Sequence, residues 1–259
     1  MSRPMFSITK YMCFVLLGVS LSGQAQEKSV ADLLSAIKAN RAEQKTGPML
    51  EAIHQVLAQD KDNLPALLVL SNYHIEKKNY GLARLILDRA AVAHKNNPSI
   101  LNNYGILDLI ENDERAAIGN FIAAVRAGSD YEIGASNLGS IYVKYGDYKR
   151  GLKPLEDAHT NTKSGLKNGD KLAGEIANNY AVALVALNEP KIAQRVYGNI
   201  LDGDSKDPYI LLNQVRLLVD ILKDRKEGYR AISKLKFLTD NQKILRELEA
   251  LEKRADSIK

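Results

Sequence analysis

From Ser29 onward, apolar residues recur every three or four positions, the period of a helix that buries one face. Residues 29–44 show it first. Val30, Leu33, Leu34 and Ile37 share one stripe, and Ser29 with Asp32 reads as a capping-box variant. Residues 48–59 continue the pattern, with Pro48 at a helix start. At the far end Ile244, Leu248, Leu251 and Ala255 form an apolar stripe on a helix that Asp240 can cap. Its opposite face is charged, which suits a terminal lid with one wet side.

Between these ends the pattern repeats itself. Segments beginning at Leu64, Pro98 and Glu132 align with a strict 34-residue step. A fourth begins at Gly174 after an eight-residue insertion, and a fifth at Pro208 drifts in its second half. The third segment carries Leu138, Gly139, Tyr142, Gly151, Leu155 and Ala158 at repeat positions 7, 8, 11, 20, 24 and 27. The second has Tyr104, Gly105, Ala117, Phe121 and Ala124 at the same positions, 11 excepted. The fourth has Tyr180, Ala181, Leu184, Ala193, Tyr197 and Ile200, and the first has Leu67, Leu70, Ser71, Ala83, Leu87 and Ala90.

These residues resemble the tetratricopeptide-repeat (TPR) family over about residues 48–238. The resemblance implies an all-α fold: a right-handed superhelix, or α-solenoid, of about five helix-turn-helix repeats with terminal capping helices. Small residues at positions 8 and 20 let the two helices of a repeat approach closely, and larger ones at 4, 7, 11 and 24 fill the space around them. One helical pair cannot bury its apolar face alone, so stacked neighbours supply the core. The expected organisation is capping helices and a half repeat over 26–63, repeats near 64–97, 98–131, 132–165, 174–207 and 208–238, and a C-terminal cap over 239–259. The insertion, residues 160–171, is either a longer connection or an extended helix.

The family's concave face is lined by the first helix of each repeat, at positions 2, 5, 6, 9, 12 and 13. Position 6 is Asn103, Asn137, Asn179 and Asn213 in successive repeats, Asn72 stands at position 9, and Asn102, Ser136 and Asn178 stand at position 5. An asparagine offers both an acceptor and a donor, so such a ladder can hold the backbone of an extended peptide. The same residues equally suit bonds between repeats. Ile75, Ile106, Leu109, Val143, Val182 and Val185 lie between them as groove pockets or as ordinary packing. Lys144 and Arg216 are the basic groups of the face, and the paired lysines of chaperone-docking TPR proteins are missing. The expected partner-binding residues are therefore Asn72, Asn103, Asn137, Lys144, Asn179, Asn213 and Arg216.

The first residues differ in kind. Arg3 and Lys10 precede an apolar run from Tyr11 to Leu21, and Gly23 and Ala25 fit a cleavage site. This is the plan of a secretory signal over 1–25, with an uncleaved anchor as the alternative. Export fits a bacterial periplasm. Without Arg3 and Lys10 the formal charge falls from +5 to +3, too balanced to suggest nucleic acid. The single cysteine, Cys13, lies in the leader, so the mature chain has no disulfide or thiol chemistry. His54, His74 and His94 fall at unrelated repeat positions, and no catalytic or metal motif occurs. The expectation is a non-catalytic protein-binding scaffold of the cell envelope, without cofactor, nucleic acid or stable membrane insertion. Layout resembles TPR subunits of motility, pilus and outer-membrane assembly machines. A cell-wall enzyme regulator and a homo-oligomer built through the C-terminal helix are the alternatives.

Overall fold

The computed structural model describes residues 28–128, 132–202 and 206–258. The expected leader, with cleavage before Gln26, lies outside them. Among the described residues the secondary structure is entirely helical. The helices come in antiparallel pairs: α1 Val30–Ala42 with α2 Thr46–Gln59, α3 Leu64–Glu76 with α4 Tyr80–Ala93, and α5 Pro98–Ile110 with α6 Glu114–Ala127. Next come α7 Glu132–Lys144 with α8 Tyr148–Leu166, and α9 Lys171–Ala186 with α10 Pro190–Asp202. Then α11 Pro208–Arg216 runs into a π-helical turn, Leu217–Ile221, and is followed by α12 Arg225–Leu238 and α13 Gln242–Asp256. Each helix packs most heavily on its chain neighbour, the pattern of a solenoid.

Short polar side chains start the helices. Asn63, Asn97, Asp207 and Asn241 accept from backbone N–H groups at the head of α3, α5, α11 and α13. The last of these corrects the expected Asp240 cap: Asn241 Oδ1 takes the N–H groups of Lys243 and Ile244. Ser29 does cap α1, accepting from the Asp32 N–H while its hydroxyl donates to the Asp32 carboxylate. Between the two helices of each pair sits one residue in the left-handed region: Gln44, Lys78, Asn112, Gly146, Asn188 and Lys223.

Close approach within a pair follows the small residues. A Cβ on Gly105 would lie 2.6 Å from the ring of Phe121, which is fully buried. Gly139 and Gly151 face each other, and a Cβ on Gly151 would lie 3.0 Å from the Gly139 carbonyl oxygen.

Three features depart from the expected layout. Residues 30–63 are a whole helical pair in the 34-residue register, not a half repeat, since α1 and α2 match α3 and α4 in length and turn. Their signature is hidden because Ile37 and Met49, both buried, stand where other repeats carry small residues. The drift of the fifth repeat is a one-residue insertion absorbed by the π-helical turn, as π-bulges do. Counting past it, the buried Gly228, Ile232 and Leu235 regain positions 20, 24 and 27. The insertion at 160–171 lengthens both flanking helices: α8 has 19 residues and α9 has 16.

At the C-terminal end Ile244, Leu248, Leu251 and Ala255 are buried against α11 and α12. No helix among the described residues is long and apolar enough to cross a membrane.

Candidate functional site: the inner face

The first helices of successive repeats touch at every step from α3 to α13. Among the second helices only α8 and α10 approach comparably. The stack therefore curves toward its first helices, and their shared face is the concave one.

A chain of amide bonds crosses this face from repeat to repeat. Asn103 Nδ2 donates to Asn72 Oδ1 at 2.8 Å, and Asn137 Nδ2 donates to Asn102 Oδ1 at 2.8 Å. Asn179 Nδ2 donates to Ser140 Oγ at 2.8 Å, and Asn213 Nδ2 donates to Asn178 Oδ1 at 3.0 Å. Position 6 always donates backward, and the acceptor alternates between positions 9 and 5. The reason lies in the sequence. Where position 9 is apolar, as in Ile106 and Val182, an asparagine at position 5 takes the bond instead.

Arg216 extends the chain to the last helix. Its Nε and Nη2 grip both Glu247 carboxylate oxygens at 2.6 and 2.9 Å, while Nη1 donates to Asn213 Oδ1 at 2.8 Å. A bidentate guanidinium–carboxylate pair fixes geometry as well as adding attraction. Nearby, Arg254 holds Asp220 in the same forked manner.

Of the residues expected to bind a partner, the structure thus joins Asn72 to Asn103 and Asn213 to Arg216, and bonds Asn137 and Asn179 to the preceding repeat. Asn103 is only 6% exposed, whereas Asn72, Asn137, Asn179 and Asn213 are half-buried. Each donating amide retains a second N–H. Lys144 stands apart, exposed, with a long 3.9 Å ion pair to Glu114. Ile75, Ile106, Leu109, Val143, Val182 and Val185 are half-buried along the same face.

The first step is built differently. Position 6 of α3 is Val69, and the facing residues of α1 are Leu34 and Lys38. No side-chain hydrogen bond among the described residues joins these three positions, and α1 and α3 are bridged instead by Arg41 and Glu76 at 3.4 Å. A cavity of about 480 Å³ opens there, lined by Leu34, Ile37, Ala42, Pro65, Val69 and the side chains of Lys38 and Arg41. A second, of about 340 Å³, adjoins it past Arg41 and Val69, toward Tyr73, Glu76 and Gln44. Sequence reasoning missed these residues. The readable signal was the break in the row of asparagines at Val69.

Two buried polar groups lie behind the face. Asp108 occupies position 11, where the family carries an apolar residue, and is bonded by Arg84 at 2.9 Å and Asn120 at 2.7 Å. The Asp108 hydrogen bond raises the Arg84 pKa further, against the lowering by burial, with Glu111 adding to the rise. His159 is 7% exposed, stacks on Tyr180 at 5.3 Å, and its Nδ1 has no partner. Burial, with the charge of Lys163 second, pushes its pKa below the ordinary value. The other histidines do not converge: His94 bonds the Asp62 carbonyl at 2.6 Å, and His54 is exposed on α2. Among the described residues no group of three His, Cys, Asp or Glu side chains could hold a metal ion.

No family model and no curated protein sequence matches the chain. Solved structures do. Pseudomonas aeruginosa PilF is 18% identical, with a TM-score of 0.69 over 85% of this chain and 96% of that one. PilW, a widely conserved type IV pilus biogenesis factor, is 16% identical, with a TM-score of 0.65 over 85% of this chain and 97% of that one. YrrB, a TPR protein with an unusual peptide-binding site, is 14% identical, with a TM-score of 0.59 over 77% of this chain and 98% of that one. At these identities the likeness is one of fold, and the fold is the TPR solenoid.

Proposed function

We propose that this chain is a non-catalytic adaptor of the cell envelope, holding a peptide segment or helix of a partner protein in its concave groove. The observation that carries the reading is the composition of the inner face. Half-buried apolar side chains, Ile106, Val143, Val182 and Val185 among them, alternate with half-buried asparagines that each keep a second N–H. Polar edges beside apolar pockets are what a peptide's backbone and side chains require. The likeness to PilW, a pilus biogenesis factor, supports an assembly role, and the leader-like residues 1–25 support export to a periplasm. The apolar stripe of α13 is engaged within the chain, which disfavours an oligomer built through that helix.

The test is site-specific photocrosslinking in the native envelope. A crosslinker at Val143 or Val182 should capture the same partner, and one at the outer-face residue Leu85 should not. Capture from Leu85 alone would reject the groove.

A further inference from the structure

We infer that the notch between α1 and α3 is a specific anchoring site, taking a bulky apolar side chain of a partner peptide whose neighbouring residue carries a carboxylate. The inference rests on the groove reading and gives the ligand its chemistry.

Place in the array is the first observation. At every later step a side-chain amide bond between repeats, or the Arg216–Glu247 pair, spans the corresponding positions. At the first step Val69 faces Leu34 and Lys38, α1 and α3 are joined by the exposed Arg41–Glu76 pair instead of an amide bond, and the space is open. Its volume of about 480 Å³ falls within the roughly 300–1,000 Å³ of ligand sites.

The walls give the second observation. Leu34, Ile37, Pro65 and Val69 present hydrocarbon, and the stems of Lys38 and Arg41 extend it while their charged heads stay at the rim. An apolar side chain is accepted by such a floor, and a polar one would lose its water without replacement.

Charge at the rim is the third. Lys38 is exposed and forms no ion pair among the described residues. Arg41 has a single 3.4 Å contact with Glu76, both side chains being largely exposed. These cations differ from Arg216, which is gripped on three sides. Two under-committed positive groups beside an apolar floor select a carboxylate next to the anchor, and they repel a lysine there.

The test uses the full chain and three short fluorescein-labelled peptides that differ only at their centre: Phe-Glu, Phe-Lys and Ser-Glu. Fluorescence anisotropy at low salt should show Phe-Glu binding, with the other two weaker by roughly tenfold or more. Lys38→Glu should reverse the order of Phe-Glu and Phe-Lys. Val69→Asn, which installs the residue of later repeats, should remove the dependence on Phe. Circular dichroism verifies that both variants are folded. Equal affinities, no binding at all, or an unchanged order in folded Lys38→Glu would overturn the assignment. Binding that appears only after residues 1–25 are removed would assign the notch to the chain's own leader and overturn it as well. Failure here is distinct from failure of the groove. If only the notch is wrong, crosslinks from Val143 and Val182 persist while the peptide order is flat. If only the groove is wrong, the peptide order holds while those crosslinks vanish.

Discussion

The side-chain amide of Asn137 donates to Asn102 Oδ1 at 2.8 Å, tying the inner helices of the second and third repeats together at the floor of the groove. Asn102 is 1% exposed, so no bulk water replaces a lost donor. Asn137→Ala should destabilise the chain by about 1–3 kcal/mol. Asn137→Asp should cost more at neutral pH, because it sets a carboxylate against a buried carbonyl oxygen. Urea unfolding of the two variants checks the order.

Gly105 makes a second, steric prediction. A methyl group there would lie 2.6 Å from Phe121 Cε1. Gly105→Ala should cost about 1–3 kcal/mol through overpacking. Phe121→Leu in the same chain should recover part of that loss, although alone it destabilises. A double-mutant cycle measures the coupling, and simple additivity would refute the contact.

Asp108 is a buried carboxylate where the first, third and fourth repeats carry His74, Tyr142 and Leu184. Asp108→Ala should cost about 2–3 kcal/mol, at or below the low end for a broken buried pair because Arg84 is partly exposed. Asp108→Leu should cost clearly less, since an apolar residue of similar volume removes the charge and fills the site. Chemical denaturation of both variants compares them.

His159 predicts a pH dependence. Its folded pKa lies below the ordinary 6.5, because burial disfavours the cation. Above that value both folded and unfolded chains are neutral at this site, and it contributes no difference. As pH falls through about 6.5 the unfolded chain takes up a proton that the folded chain resists, so stability falls. Melting temperatures between about pH 8 and pH 5 should therefore drop more steeply in the native chain than in His159→Phe.

The turn residue Lys78 has a φ of 61°, a region that costs a side chain roughly 1–2 kcal/mol. Glycine relieves that strain and loses part of the gain to its own freedom when unfolded. Lys78→Gly should raise stability by about 0.5–1 kcal/mol, read as a higher urea midpoint.

The repeats that kept small residues at positions 8 and 20 were legible in the sequence, because Gly105, Gly139 and Gly151 carry their structural reason with them. The pair over 30–63 was obscured by Ile37 and Met49, which bury just as well without matching the pattern. A one-residue insertion hidden inside a helix looked like drift, since sequence shows the offset of Gly228 but not the π-helical turn that absorbs it. The inner face was located by Asn103, Asn137, Asn179 and Asn213, yet their bonding was not readable. An asparagine facing a groove and one facing the next repeat have the same spacing. The notch was missed because it is marked by what Val69 and Lys38 fail to do, which only the neighbouring helix reveals.

The backward-donating asparagines also bear on how long such a chain can be. Repeats two to four each carry a donor at one fixed position and an acceptor at one of two others, so each is plug and socket at once. A copy of any of them could be inserted or removed in the middle with every plug still meeting a socket. The ends do not share this freedom. Val69 offers no plug to a preceding unit, and Glu247 accepts from an arginine rather than donating. Length is thus open to change inside the array, while the joints of α1 to α3 and of α11 to α13 use other side chains and do not take such a copy.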